Sequence, residues 1–177
     1  MSLASILESS YQPNRDAEQT LAKEGYKLDR DLSTREHKVF VDDKGNPNIA
    51  YRGTVNKKDM FSDFLLGVGL GYLDPRQRKS TNLVKMVNEK YGKDPDLYGH
   101  SLGGALAENA GTSGKITTFN KGAAPTDAFK YIPPNQTDVR TKNDMVSMFS
   151  IFQRGGKKRQ LEGDKDLLKT HSISQLR

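Results

Sequence analysis

Five consecutive residues of the 177-residue chain, Gly99-His100-Ser101-Leu102-Gly103, have the spacing Gly-x-Ser-x-Gly. This pattern is typical of a serine at the apex of a sharp strand-to-helix turn, a nucleophile elbow, which closes only when the neighbouring residues are tiny. The turn lifts the serine hydroxyl above the sheet edge, and the following helix directs its N–H groups and positive dipole end toward it. The sequence therefore predicts that Ser101 is a nucleophile and that the N–H of Leu102 stabilises an oxyanion.

A serine nucleophile needs a general base, and the chain has three histidines. His100 lies inside the elbow, where its side chain points away from that of Ser101, and His37 is interpreted as a surface or strand-end residue. In hydrolases with this elbow, the chain order is serine, acid, histidine. His171 is the only histidine after Ser101 and is therefore the predicted base. The alternative is a tail residue without a role, because His171 lies six residues from the last residue.

The histidine in turn needs an acid to hold its tautomer. Asp144 is the best candidate, because it follows a strand-like run at residues 137–141 and sits in a polar turn. The end of a strand at the carboxyl edge of the sheet is where such hydrolases place the acid. Asp127, Asp164 and Asp166 are rivals, and the last two lie among charges and are typical of solvated side chains.

A second oxyanion donor is expected from a loop that follows an earlier strand. Thr54 fits, because it comes just after the predicted strand 48–52 and offers both an N–H and a hydroxyl. Gly53 beside it permits a close approach of the backbone.

The elements that must position these residues alternate between strands and helices from residue 80 onward. This alternation predicts an α/β protein with a mostly parallel central sheet flanked by helices. Predicted helices cover residues 14–24, 80–91 and 102–110, and predicted strands cover 38–41, 48–52, 97–98, 115–119 and 137–141, the first two joined as a hairpin.

Length and composition favour a single compact domain over residues 1–177, with an N-terminal helical extension at 1–36 and an exposed basic loop at 153–166. The absence of cysteine excludes a disulfide scaffold, a thiolate metal site and a cysteine nucleophile. The formal net charge is +6. The basic loop is either simply solvated or a contact for an anionic partner such as a membrane surface. No aromatic residues interleave with its charges, so no nucleic acid is expected.

Several blocks together resemble the class 3 lipase family of α/β hydrolases, which includes fungal triacylglycerol lipases. The GHSLGGALA run at 99–107 is similar to the family's elbow, and DVRTKNDMVS at 138–147 is similar to its strand and catalytic aspartate. The family's oxyanion block is similar to YRGT at 51–54, and the segment after it is similar to KDMFSDF at 58–64. The family's strand after the elbow is similar to ITTFNKGAAP at 116–125.

The resemblance implies an α/β-hydrolase-like fold, a triad of Ser101, Asp144 and His171, and oxyanion donors at Thr54 and Leu102. It implies a serine carboxylic-ester hydrolase that acts on lipid esters, a triacylglycerol lipase or a phospholipase A1-type enzyme, with no metal or organic cofactor. The alternative is a non-catalytic lipase-like interaction protein, for example a component of a viral particle with protein partners. No signal peptide or membrane-spanning run is found, which leaves a cytoplasmic or virion-associated location open.

Residues 64–73, FLLGVGLGYL, follow the oxyanion block, where class 3 lipases place a mobile lid. Alternating glycines weaken a helix there and leave one face of a strand bare. A mobile apolar flap and a tightly packed buried segment both fit this composition.

Overall fold

A computed structural model of the protein describes residues 2–54, 74–164 and 166–177. The described residues form one sheet of seven strands with helices packed on it. The strands are β1 (Lys27–Asp29), β2 (His37–Val41), β3 (Pro47–Tyr51), β4 (Asp96–His100), β5 (Ile116–Phe119), β6 (Tyr131–Thr141) and β7 (Arg154–Leu161). The helices are α1 (Leu3–Ser9), α2 (Asn14–Lys23), α3 (Asp74–Tyr91), α4 (Leu102–Asn109) and α5 (Leu167–Thr170), with short 3₁₀ helices at Pro125–Asp127, Met148–Phe152 and Ile173–Leu176.

The strands lie side by side in the order in which they occur along the chain. The pairs β1–β2 and β2–β3 are antiparallel, and the four pairs from β3–β4 to β6–β7 are parallel. The predicted α/β class with a mostly parallel sheet is confirmed. Because parallel strands end at the same edge, the segments after β3, β4, β5 and β6 meet there.

One face of the sheet is covered by α3 and α4. Leu83, Val84 and Val87 lie on the buried side of α3, as their spacing predicts, and meet Leu106 of α4 above Leu97 of β4. Burying these aliphatic side chains supplies the hydrophobic free energy that holds the elbow's helix against the sheet.

The other face is covered by the N-terminal helices and by the C-terminal residues. Ile6, Leu7 and Leu21 pack on Phe40 and Tyr98, and Ile173 and Leu176 pack against the same cluster. The prediction of a helical extension at residues 1–36 is therefore wrong in part. Its helices α1 and α2 belong to the core, and β1 is the edge strand of the sheet.

The start of one predicted helix differs from the observed start. Ser80, where the predicted helix 80–91 starts, lies inside α3, which begins at Asp74, and its hydroxyl donates to the carbonyl of Arg76 at 2.9 Å. A serine mid-helix can satisfy its own hydroxyl in this way, so it does not mark a helix start. The predicted hairpin is confirmed as β2 and β3, paired antiparallel.

The predicted basic loop at residues 153–166 is wrong for its first half, because Arg154–Leu161 is the edge strand β7, parallel to β6. The strand is exposed along its basic residues, as predicted for the loop. Its sequence lacks the alternation of apolar and polar residues that marks a half-buried strand, so only pairing with β6 reveals it. Residues 64–73, whose composition fits either a mobile flap or a packed buried segment, lie outside the described residues. Within the described ranges, no helix has the length and apolar character that a membrane span requires.

Candidate active site

Ser101 occupies the turn between β4 and α4 with φ 57° and ψ −127°. Residues other than glycine rarely adopt positive φ, and such strain, of order 1–3 kcal/mol, persists only where the surroundings impose it. Here the N–H of Ser101 donates to the carbonyl of Phe119 at 3.1 Å, and its carbonyl accepts from Gly104 at 2.9 Å and Gly122 at 3.0 Å. The strained strand-to-helix turn predicted at Ser101 is present.

The two glycines of the motif are required by backbone contacts. A Cβ on Gly99 would collide with the carbonyl of Gly103, and a Cβ on Gly103 would collide with the carbonyl of Tyr51 at the end of β3. Both clashes involve backbone atoms, which cannot rotate away. The elbow therefore closes against itself and against β3 only because these side chains are absent.

Asp144 lies three residues beyond the end of β6 and forms a buried pair with His171, which follows α5. Asp144 Oδ1 lies 2.7 Å from His171 Nδ1, and Asp144 Oδ2 accepts the N–H of Ser147 at 2.8 Å. Burial by itself would raise the pKa of Asp144, but the hydrogen bond and charge of His171 and the bonds from Ser147 lower it. A carboxylate only accepts hydrogen bonds, so it holds a proton on His171 Nδ1 and leaves Nε2 as an acceptor.

His171 Nε2 is buried and has no hydrogen-bond partner among the described residues. A hydrogen bond between this nitrogen and the Ser101 hydroxyl is accordingly not formed in this conformation. Ser101 is 1% exposed. Hydrogen bonds between a nucleophile and its base are often long in structures without substrate and tighten only when substrate binds.

The end of β3 runs directly beside the elbow. A Cβ on Gly53 would lie 2.9 Å from Ser101 Cβ and 2.7 Å from the carbonyl oxygen of His100. Thr54 follows on this strand end and is half-buried. On the other side, Leu102 is the first residue of α4, so its N–H has no acceptor within its own helix. The two predicted oxyanion donors therefore come from segments that converge on Ser101.

The rival carboxylates lie in other environments. Asp127 Oδ2 accepts the N–H of Ala124 at 3.0 Å and so caps a 3₁₀ helix, while Asp164 and Asp166 are exposed. His37 begins β2, as expected of a strand-end residue, but it is half-buried rather than at the surface.

Tyr11 is a site residue that the sequence did not reveal. Its oxygen accepts the N–H of Gly53 at 3.0 Å and lies 2.8 Å from His100 Nδ1, while His100 Nε2 lies 2.8 Å from the carbonyl oxygen of His171. Because a carbonyl only accepts, the His100 proton sits on Nε2 and Tyr11 donates to Nδ1. Burial raises the pKa of Tyr11 to about 12, which keeps that donor proton in place. This Tyr11–His100 relay links the segment after β3 to the backbone of His171.

Asn120 is a second residue that sequence reasoning missed. It follows β5 with φ 43°, a conformation that asparagine tolerates better than most residues. Its Nδ2 donates to the carbonyl of Thr170 and to Thr141 Oγ1, both at 3.0 Å, and its Oδ1 accepts the N–H of Thr141 at 2.7 Å. Asn120 thus ties the segment before His171 to the end of β6. An asparagine directly after a strand in the run FNKG was the available signal.

No protein-family model and no curated protein matches the sequence. In the described part of the chain, no three acidic, histidine or cysteine side chains are grouped to hold a metal ion. The site is therefore characterised by its own geometry, namely a strained serine at a strand-to-helix turn and a buried Asp–His pair near the same sheet edge.

Proposed function

We propose that the protein is a serine carboxylic-ester hydrolase of the α/β-hydrolase type that acts on lipid esters, as the resemblance to class 3 lipases implies. The observation that carries the proposal is the strained conformation of Ser101 near a buried Asp144–His171 pair whose free nitrogen is a proton acceptor. Structural proteins have little reason to hold both features, because strain and an orphaned buried nitrogen each destabilise the fold.

The reaction would begin with attack of Ser101 Oγ on the ester carbonyl carbon while His171 Nε2 takes the hydroxyl proton. The tetrahedral intermediate collapses as the alkoxide leaves with the proton from Nε2, and an acyl group remains on Ser101. Water then attacks the acyl carbon with His171 again as the base, which releases the carboxylic acid and restores the serine. Asp144 stabilises the imidazolium at each step and holds the ring.

The negative charge on the carbonyl oxygen would be stabilised by the N–H groups of Leu102 and Thr54 and by the Thr54 hydroxyl. One such donor typically contributes about 2.7–4 kcal/mol to the transition state. The positive end of the α4 dipole adds to the same field.

The proposal is tested by labelling with a fluorophosphonate probe and by hydrolysis of a short soluble ester, a phospholipid and a triglyceride. We expect Ser101 to be labelled and the Ser101→Ala protein to be inactive yet folded, because the small hydroxyl adds little to the core. Labelling at another residue, or hydrolysis that survives in Ser101→Ala, would overturn the assignment of the nucleophile.

A second candidate is a non-catalytic interaction protein on the same scaffold, for example a component of a larger particle. The observation that favours it is the missing hydrogen bond between Ser101 and His171 within the described residues. Absence of both labelling and hydrolysis, in protein that is folded, would decide for this candidate.

A further inference from the structure

A group of large apolar side chains is exposed on the flank of the sheet formed by β6 and β7. Phe129 is 86% exposed, Tyr131 68% and Phe152 58%. We call this group the apolar strip; it consists of Phe129, Tyr131, Met145, Met148, Ile151 and Phe152. Single exposed apolar residues need no explanation, but a contiguous group of aromatic and long aliphatic side chains marks a contact surface.

The strip is contiguous because its two segments are joined at the start of the last two strands. Tyr131 pairs with Arg154 in the parallel register, and the N–H of Arg154 donates to the carbonyl of Lys130 at 3.3 Å. Phe152 lies two residues before Arg154. The aromatic residues around Lys130 and those of the 3₁₀ helix Met148–Phe152 are therefore neighbours.

The strip is bordered by a basic edge strand. Arg154, Lys157, Lys158 and Arg159 of β7 are all exposed, and residues 145–161 contain no acidic residue. Lys158 Nζ donates to the carbonyls of Ile151 at 3.1 Å and Ser150 at 3.4 Å, which fastens the 3₁₀ helix to the strand. Lysines on an edge strand also discourage pairing with other strands, but that purpose does not explain exposed aromatic residues beside them.

We propose that the apolar strip and the basic residues of β7 form a docking surface for an anionic lipid membrane. Aromatic and aliphatic side chains insert at the boundary of headgroups and acyl chains, and basic residues bind the anionic headgroups. A second copy of the chain fits less well, because four basic residues would face four others without an acidic partner. The proposal rests on the proposed function, since docking brings the hydrolase to its lipid substrate.

The strip also has a defined relation to the site. It begins at Met145, the residue after Asp144, and continues along the flank toward the start of β6. The exposed aromatic residues Phe129, Tyr131 and Phe152 lie at or just before the starts of β6 and β7, and the Met145 end of the strip lies at the carboxyl edge of the sheet, as Ser101 does. Docking through the strip therefore holds this flank of the sheet against the membrane.

The test is sedimentation with vesicles of phosphatidylcholine alone or mixed with phosphatidylserine, using Ser101→Ala protein so that no lipid is cleaved. Lys157→Gln with Arg159→Gln should weaken binding to the anionic vesicles about thirtyfold, at about 1 kcal/mol per basic residue. Phe129→Ser with Phe152→Ser should weaken it by at least about tenfold. Lys44→Gln with Lys85→Gln removes two exposed charges elsewhere and should leave the binding unchanged.

Thermal unfolding of each variant establishes that it is folded, and Lys158 is retained because it anchors the 3₁₀ helix. No binding to anionic vesicles, or equal losses in the control and the basic pair, would overturn the docking surface. The docking surface would also be overturned if the unsubstituted chain self-associates in sedimentation velocity and the Phe129→Ser, Phe152→Ser variant does not. Failure to bind while the unsubstituted chain hydrolyses a soluble ester leaves the proposed function intact, and binding without hydrolysis leaves the docking surface intact.

Discussion

Two buried clusters of titratable side chains lie near the elbow, and they differ in which kind of polar atom is left without a hydrogen-bond partner. One is the Asp144–His171 pair. The other, here called the lysine cluster, joins Lys121 to Glu108 and Asp138, with Lys121 only 2% exposed. Lys121 follows β5, Asp138 lies in β6 and Asp144 follows β6, so the same two strands position residues of both groups.

In the lysine cluster, each charged group has partners. Lys121 Nζ donates to Glu108 and, at 2.9 Å, to Asp138 Oδ2, while Asp138 Oδ1 accepts the hydroxyl of Thr118 at 2.6 Å. Glu108 also faces Lys130 at 3.2 Å. A Cβ on Gly104 would lie 3.1 Å from Lys121 Cβ, so the cluster packs directly on α4. With Lys130 included, two ammonium groups face two carboxylates, so the charges balance, and the cluster fastens the elbow's helix to β6.

The Asp144–His171 pair leaves His171 Nε2 without a partner in the described part of the chain. Gln136, which donates to Glu108 and Asp138 of the lysine cluster, also has an unpartnered buried atom, its amide oxygen. An amide oxygen is not a base, whereas the unpartnered imidazole nitrogen of His171 is one, and this difference supports the proposed catalytic role. The comparison teaches that burial of charge alone does not identify an active site. An unpartnered atom that is also a base, near a strained serine, supports the proposed catalytic assignment.

The largest expected effect is on catalysis at the pair. His171→Ala should lower kcat by about 10⁴-fold or more, because members of a triad act as a unit. The measurement is steady-state hydrolysis of a soluble ester, alongside the Ser101→Ala protein. If His171→Ala retains near-normal turnover while Ser101→Ala does not, another group is the base.

The next effect is on stability at the lysine cluster. Lys121→Met should lower the free energy of unfolding by about 3–5 kcal/mol, because two buried carboxylates lose their counter-charge. Lys130→Met is the matched control, since its half-exposed ion pair with Glu108 is worth about 1 kcal/mol or less. Denaturant unfolding measures both changes.

Adding Glu108→Gln to Lys121→Met should recover part of that loss, and ester hydrolysis per folded molecule should stay near normal in both proteins. A loss of kcat in Lys121→Met that exceeds its folded fraction would contradict the separation of the two groups.

A smaller effect is expected from the Tyr11–His100 relay. Tyr11→Phe removes the hydroxyl that accepts from Gly53 and donates to His100. Because the proposed oxyanion donors and the base then lose their alignment, kcat should fall roughly tenfold with little change in KM. Tyr51→Phe is the control, because it deletes a buried hydroxyl that donates to the Ser80 carbonyl at 3.1 Å. Equal kcat in the two variants would remove the relay from the catalytic machinery.

The smallest expected effect is on the pH dependence of the stability that Glu108 contributes, which should reverse in Lys121→Met. Burial would raise the pKa of Glu108, but the charge and hydrogen bond of Lys121 and the bond from Gln136 lower it below the ordinary value of 4.5. Its stabilising contribution is therefore full above about pH 4.5 and is lost as pH falls through the lowered pKa.

In Lys121→Met, burial dominates and the pKa of Glu108 rises, so its contribution should instead be largest in acid and fall as pH increases. Thermal unfolding between acid and neutral pH measures this in both proteins. Parallel profiles would show that Lys121 does not control the ionisation of Glu108.

Local sequence predicts the parts of this protein in which neighbouring residues decide the geometry. The elbow is predictable because the spacing of Gly99 and Gly103 around Ser101 is itself the steric condition for the turn. The hairpin of β2 and β3 and the helix α2 are predictable because hydrophobic periodicity and turn residues are local. Asp144 follows from its place just after a strand.

Prediction from local sequence fails where an element is held by hydrogen bonds or packing with residues far away in the chain. The edge strand β7 looks like a charged loop, because its partner is β6 rather than any pattern of its own. The N-terminal helices look like an extension, because only the packed sheet shows that Ile6 and Leu7 complete the second core cluster.

What the chain determines by itself is the set of chemical groups, their order and the strain at Ser101, since these depend on residue types a few positions apart. What only the tertiary structure decides is which groups meet. Tyr11 lies 89 residues from His100 along the chain, and Asp144 lies 27 residues from His171. Such pairs come together because the parallel strands end at one edge and the N-terminal helix packs beside it, and no local preference encodes that contact.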